Sequence, residues 1–387
     1  MNIFRYLTAG ESHGKCLTAI IEGVPAGFPI SAEIINKDLK RRQGGYGRGL
    51  RMQIESDTVE IKSGVRFGKS TGAPICLEVK NKDFENWKIP MSTDELDFSD
   101  IEILKKVAEK SFTKVRPGHA DYAGSIKYDL EDLRDILERS SARKTAIEVA
   151  VGSIAKQILK EFSISGFSHV IQIGTVKANI LPDTYTMIRE RAEQSELRCA
   201  DDYATEKMKS LIDQAKDAGN TLGGKFEIIF TNLPVGLGSF VHWDRTLDGL
   251  ISQAVMSIPA VKSVEIGAGA KVAEMLGSEV HDEVYITGET IYRKTNNAGG
   301  IEGGMTNGED LVVKAVMKPI PTMRTPLNTV DMLNKTQTQA HFERSDTCAV
   351  PACAVVAEAR VACVLVNELL RKYGGDSLKQ IKSNYEK

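Results

Sequence analysis

An α+β sandwich is the architecture this sequence predicts, and two observations carry it. Short apolar or alternating runs bounded by glycine recur beside amphipathic helical stretches, yet they never settle into a strict strand-helix-strand alternation. Nor does any turn carry the Gly-x-Gly-x-x-Gly pattern of a dinucleotide-binding doubly wound sheet; Gly267-Ala268-Gly269 comes nearest, with Val272 where the third glycine belongs.

In chain order, Phe4 to Thr8, Leu17 to Glu22, Thr58 to Ser63 and Ile75 to Val79 read as strands. A helix from Ser31 to about Arg42 interrupts them, with Ser31 placed to cap its first amides and Gly44-Gly45 to end it. The stretch from Lys144 to Phe162 sets Ile147, Val151, Ile154 and Ile158 at helical spacing, and Thr205 to Ala218 reads as a further helix. Phe226 to Phe230, Val264 to Ile266 and Leu311 to Met317 return to strands. The last helix, Val350 to Tyr373, is apolar nearly all round, which assigns it to the core or to a subunit interface. Asp97 to Lys114, with charges around Ile101, Ile103 and Leu104, reads as an exposed excursion.

With 387 residues, 42% of them hydrophobic, the chain has material for a large core in one unit or two. Its 50 Lys and Arg stand against 52 Asp and Glu, so there is no surplus positive field to draw nucleic acid or anionic lipid, and any basic site has to be local. The stretch MNIFRYLTAGESHGK lacks both the apolar core of a signal peptide and the acid-free, Arg- and Ser-rich character of a transit segment. No run approaches the ~20 uninterrupted apolar residues of a membrane span. A soluble, cytoplasmic protein is the expectation. Six cysteines (Cys16, Cys76, Cys199, Cys348, Cys353, Cys363) form no C-x-x-C pair and predict reduced, half-buried thiols. No H-x-x-x-H or H-x-x-E-H pair occurs, so a protein-held metal is not expected.

Two near matches to known motifs come first. GESHG at 10–14 fits the Gly-x-Ser-x-Gly turn of serine hydrolases, but that turn needs a helix behind it and here Leu17 to Ile21 reads as a strand. Gly64 to Ser70 is one residue short of a phosphate-binding P-loop. A stronger signal is the run Arg41-Arg42-Gln43-Gly44-Gly45-Tyr46-Gly47-Arg48-Gly49-Leu50-Arg51, where arginines flank a glycine-rich loop at a helix end. Guanidinium groups grip phosphate and carboxylate through paired hydrogen bonds, and glycine admits close backbone approach; the alternative is a solvated surface turn. Arg139-Ser140-Ser141-Ala142-Arg143 leads into a helix whose free amides suit a phosphate. His13 and His119 sit in glycine-containing loops, where an imidazole exchanges protons near neutrality. His169 and His281 read as structural, His242 and His341 as undecided. Asn296 to Met305 is a second glycine-rich loop suited to a planar ligand, Lys318-Pro319-Ile320-Pro321-Thr322 is a rigid run after a strand, and Arg344-Ser345-Asp346 sets a cation beside a carboxylate.

Taken together and in order, GESHG with EGVPAG, RRQGGYGRG with RMQIESD, SGVRFGKSTGAPI, RPGHADYAG, RSSARKTA, NNAGGIEGG and RSDTCAVPA closely resemble the chorismate synthase family, nearly end to end. The sequence departs from the family pattern at Lys144, where Glu is usual, at Ser345, where many members have His, and at Asn220-Thr221-Leu222, where Asp-Ser-hydrophobic is common. The resemblance implies one domain over 1–387 with a β-α-β sandwich, helices lying between antiparallel sheets, assembled as a homotetramer. It implies a lyase that turns 5-enolpyruvylshikimate 3-phosphate into chorismate and phosphate with reduced FMN (FMNH2), for aromatic amino acid biosynthesis; the alternative is a flavin-dependent oxidoreductase acting on a small anion. It implies His13, His119 and Asp346 as catalytic groups, and Ser12, Arg42, Arg48, Arg51, Ser141, Arg143 and Arg344 around the substrate. Carried over likewise, Arg139, Ser140, Ser141, Gln253, Ala254, Gly303, Lys318, Pro319, Ile320, Pro321, Thr322 and Arg344 line the FMN site. Without a dinucleotide fingerprint for NADPH, an external source of reduced flavin is the expected partner.

Overall fold

Two antiparallel sheets enclose a helical layer in the computed structural model, which describes residues 3–49, 56–180, 184–343 and 345–387. The first sheet runs in the order Arg5–Ala9, Cys16–Glu22, Ile75–Lys80, Val59–Ser63. The second runs Val261–Ile266, Leu311–Met317, Gly224–Thr231, Ser165–Ile173, Val176–Lys177. Every strand expected from the sequence is present, with ends that move by a few residues. The Ser165–Ile173 strand was not expected, because its sequence, SGFSHVIQI, carries two polar residues at buried positions. Both have partners: Ser168 donates to Glu358 Oε2 (2.9 Å), and His169 Nε2 lies 2.9 Å from Glu227.

Between the sheets lie Ala32–Gln43, Thr145–Lys160 and Val350–Tyr373. The first behaves as its sequence predicts: Ser31 Oγ accepts the Ile34 N–H, and the Gly44 N–H closes on Lys40 O. Val350–Tyr373 has the length and apolarity to cross a membrane, but 89% of its most apolar window is buried inside the protein, which makes it the core helix. It lies close against Thr145–Lys160. A Cβ on Gly152 would fall 2.3 Å from Ala359 Cβ, so the contact admits no side chain there. The Asp202–Asp217 helix begins earlier than Thr205 because Asp201 caps it through the Ala204 N–H.

The expected excursion is a short exposed helix, Ile101–Ala108, with no buried residue. Helices Asp121–Tyr128 and Leu133–Ser140 follow it and were not anticipated. His119 lies in the turn just ahead of the first, and the second carries Glu138, the partner of His13. All six cysteines are free thiols.

Replacing Gly152 with Val forces the two central helices apart and is expected to lower the unfolding free energy by about 2–3 kcal/mol. The readout is the urea midpoint at unchanged slope. An unmoved midpoint would show that the contact yields to a side chain.

Candidate active site

The GESHG loop joins the first two strands. Gly10 sits at φ +106°, and a Cβ there would meet Cys16 O at 2.3 Å, so the turn needs glycine. A strand, Cys16–Glu22, follows the loop, and the helix of a serine-hydrolase elbow is not there. The loop docks instead on Leu133–Ser140. The Ser12 N–H donates to Glu138 O (2.9 Å), the His13 N–H to Glu138 Oε2 (2.7 Å), and His13 Nδ1 lies 2.7 Å from Glu138 Oε1. The imidazole stacks on Trp87 with centroids 3.9 Å apart. Ser141 Oγ, just past the helix end, donates to Ser12 Oγ at 3.2 Å.

Arg143 reaches the same corner. Its Nε donates to Asn81 Oδ1 (2.8 Å) and its Nη1 to both oxygens of Asp57 (2.7 and 2.9 Å), while Asn81 Nδ2 donates to Gly14 O (2.6 Å). Arg42 enters from the end of the Ala32–Gln43 helix, donating to Thr145 Oγ1 (2.9 Å) and Ala142 O (3.1 Å). Its Nη1 stands 3.5 Å from Asp57 and makes no hydrogen bond. Burial lowers the Arg42 pKa to about 10; Asp57 opposes the shift, and the nearby guanidinium groups of Arg143 and Arg48 add to it. Arg48 Nη1 pairs with Asp346 Oδ2 at 3.0 Å, and the Gly49 N–H donates to Asp346 Oδ1 at 2.7 Å. Arg41 takes no part: it turns into the helical layer and pairs with Asp38, Glu193 and Glu358. Arg51 and Arg344 lie outside the described residues.

His119 stands across from this group. Arg116 grips Asp121 through its backbone N–H, Nε and Nη2, bracing the loop, and His119 Nε2 lies 2.8 Å from Thr322 Oγ1. Lys318 Nζ donates to Gly118 O (2.7 Å). Burial first, then the charges of Arg116 and Lys318 against a smaller pull from Asp121, lower the His119 pKa to about 4, so the ring is neutral at pH 7. The Lys318–Thr322 run is propped at two carbonyls: Thr221 Oγ1 donates to Ile320 O (2.6 Å) and Ser345 Oγ to Thr322 O (2.8 Å). Both props are positions where the sequence departs from the family pattern. The third departure, Lys144, stands at the start of the Thr145–Lys160 helix.

Of the expected flavin-lining residues, Arg139 is spent on backbone, donating to Gly10 O (3.0 Å) and Thr8 O (2.8 Å). Gln253 and Ala254 ride on the Leu247–Met256 helix, whose C-terminal side leads to Ala260, where the carbonyl accepts the Lys318 N–H. Gly303 turns a small hairpin at the other end of that helix, where the Leu247 N–H donates to Gly304 O. His242 is exposed beside Asp244, and His341 stacks on Phe112 at 4.5 Å. Glu138, Arg134, Trp87, Asp57 and Asn81 were not foreseen from sequence. Nothing local marks them; the one available hint was that Glu138 directly precedes Arg139-Ser140-Ser141. Among the described residues no group of His, Cys, Asp and Glu is placed to hold a metal ion.

Two loop histidines and a cluster of arginines paired with Asp57 and Asp346, on two sheets around a helical layer, define the class as an α+β enzyme. The chorismate synthase family model matches residues 4–370. Chorismate synthases of Geobacter metallireducens and Aquifex aeolicus are 53% and 50% identical to this chain, covering 99% and 100% of it and 98% and 97% of their own lengths. A crystal structure of chorismate synthase superposes with a TM-score of 0.78 at 42% identity, over 99% of this chain and 96% of the other. The chain belongs to the chorismate synthase family, carbon-oxygen lyases.

Between the usual histidine pKa of 6.5 and the folded value of about 4, the unfolded chain takes up a proton at His119 and the folded chain does not. Acid therefore weakens the fold there by up to ~1.4 kcal/mol per pH unit, and the contribution is intact above pH 6.5. His119→Gln should shrink the drop in unfolding free energy between pH 7 and pH 4.5 by about 2 kcal/mol, measured by urea titration.

Proposed function

We propose that the protein converts 5-enolpyruvylshikimate 3-phosphate into chorismate and phosphate by an anti-1,4-elimination, the last step of the shikimate pathway. The observation that carries this reading is a pair of contact networks, one from each histidine loop, that meet at neighbouring arginines. One part passes from Gly14 through Asn81, Arg143 and Asp57 to Arg42, the other from Arg48 through Asp346 and its neighbour Ser345 to Thr322 and His119, and the charges of Arg42 and Arg48 lie close enough to repel each other. A substrate with two carboxylates and a phosphate suits Arg42, Arg48 and Arg143, with Arg51 and Arg344 beyond the described residues and the hydroxyls of Ser12 and Ser141 beside His13.

Reduced FMN is the cofactor we assign. The donor set fits it: Arg42 Nη1 is buried with no hydrogen-bond partner and wants an anionic or carbonyl oxygen, and Lys318 and Thr322 add a cation and a hydroxyl next to His119. Arg139, Ser140, Ser141, Gln253, Ala254, Gly303, the Lys318–Thr322 run and Arg344 would hold it. When bound, reduced flavin supplies electron density as the phosphate departs. His13 gives a proton to the leaving phosphate oxygen. His119 would hold a proton toward the flavin once bound; an anion near Arg116 and Lys318 would offset the part of the shift that their charges add to burial. Asp346 assists removal of the ring proton.

The enzyme works, in this reading, as a single-domain cytoplasmic homotetramer supplied with reduced flavin from outside. Apolar neighbours left exposed on strand faces, Leu7 opposite Ile20 and Ile286 opposite Ile291, support an assembly that covers them.

One C–O and one C–H bond break and a second ring double bond forms, so there is no net redox change. Anaerobic incubation with chemically reduced FMN should release phosphate and chorismate in equal amounts while the flavin stays reduced. Stoichiometric flavin oxidation would instead assign an oxidoreductase. His13→Ala is expected to lower kcat by ~10²-fold or more.

A further inference from the structure

We infer that Glu138 is a positioning residue for His13: its carboxylate fixes the imidazole in the tautomer with hydrogen on Nδ1, making Nε2 the nitrogen that exchanges a proton with the ligand. This assignment rests on the proton-donor reading of His13 and deepens it. Both oxygens of one carboxylate are spent on one residue, Oε2 on the His13 backbone N–H and Oε1 on the ring, each at 2.7 Å. A carboxylate only accepts, so Nδ1 is the donor, and the partner of one ring nitrogen decides the role of the other. Trp87, stacked at 3.9 Å and 21°, keeps the ring from turning over.

The loop has other holds besides this carboxylate. The Ser12 N–H closes on the Glu138 backbone carbonyl, and Asn81 Nδ2 holds the carbonyls of Gly14 and Glu11 at 2.6 and 3.2 Å. What the side chain adds, beyond one further backbone hydrogen bond, is the orientation of the ring. Behind it stands Arg134, with Nη1 3.5 Å from Glu138 Oε1, Nε on Lys110 O (2.8 Å), Nη2 on Glu343, and its guanidinium 5.2 Å over Trp87. Burial would push the Glu343 carboxyl up, but His341 and Arg134 outweigh it and hold it at about 2. Arg134 is thereby fixed between two carboxylates, one aligning His13 and the other opening the segment that carries Ser345 and Asp346. Behind metal-bound histidines a carboxylate that orients the ring is typically worth about 10- to 100-fold in function, and an effect of that order is expected here.

The first measurement needs no variant: ¹⁵N ring resonances of the wild-type enzyme, with His13 assigned by comparison with His13→Ala. The neutral ring is expected to show a protonated Nδ1 and an unprotonated Nε2; the reverse pattern overturns the assignment. Glu138→Gln keeps the shape but removes the charge and one acceptor. It should lower kcat on the order of 10- to 100-fold, leave KM for 5-enolpyruvylshikimate 3-phosphate within about two-fold, and change the His13 ring pattern. Wild-type kcat in Glu138→Gln, with His13→Ala inactive, overturns the role of Glu138 and leaves the proposed elimination standing. Full activity in His13→Ala overturns the proton-donor reading, and the catalytic meaning of Glu138 with it.

Discussion

A buried carboxylate in the middle of the core helix organises the helical layer. Glu358, fully buried on Val350–Tyr373, accepts Arg41 Nη1 (2.8 Å) and Lys156 Nζ (2.7 Å) on one oxygen, and Arg41 Nη2 (2.9 Å) and Ser168 Oγ (2.9 Å) on the other. Three helices and a strand of the second sheet thus meet on one group. Burial alone would raise its pKa, but the cations of Arg41 and Lys156 hold it well below the usual carboxylate range. A charge in such a place is tolerable only while all its partners are present, and losing one costs about 3–5 kcal/mol. The pairing also aims the site. Successive helical residues point about 100° apart, so with Arg41 locked inward on Glu358, Arg42 is turned toward Asp57 and Thr145.

The site follows the same rule at lower depth. Its arginines are not left bare: Arg143 is bound to Asp57, Arg48 to Asp346 and Arg42 to neutral oxygens, which limits the desolvation and mutual repulsion of three clustered cations. The pairs also keep each guanidinium in place before a ligand arrives, so little side-chain freedom is left to lose on binding. His119 answers to the same field. Burial and the cations of Arg116 and Lys318 outweigh the pull of Asp121 and keep its imidazole neutral.

Thr221 and Ser345 clarify what the departures from the family pattern mean. Each sends a hydroxyl to a carbonyl of the Lys318–Thr322 run, a task that needs one short donor rather than one particular residue. Ser345 is therefore a brace for the segment that His119 leans on.

The sequence by itself determined the strands with apolar or alternating runs, the helix from Ser31, the burial of Val350–Tyr373, and the two histidine loops with their arginines, because period and turn chemistry are local. It also determined the family, through motif runs spread from GESHG to RSDTCAVPA. Only the tertiary structure decided that Ser165–Ile173 is a strand, since Ser168 and His169 are acceptable inside it solely because Glu358 and Glu227 reach them. Only the tertiary structure separated Arg41 from Arg42. And GESHG, on its own, showed a serine and a histidine side by side; Glu138, 125 positions along the chain, is what aligns His13. Pairings at that separation leave no periodic trace, because each depends on where two distant elements meet.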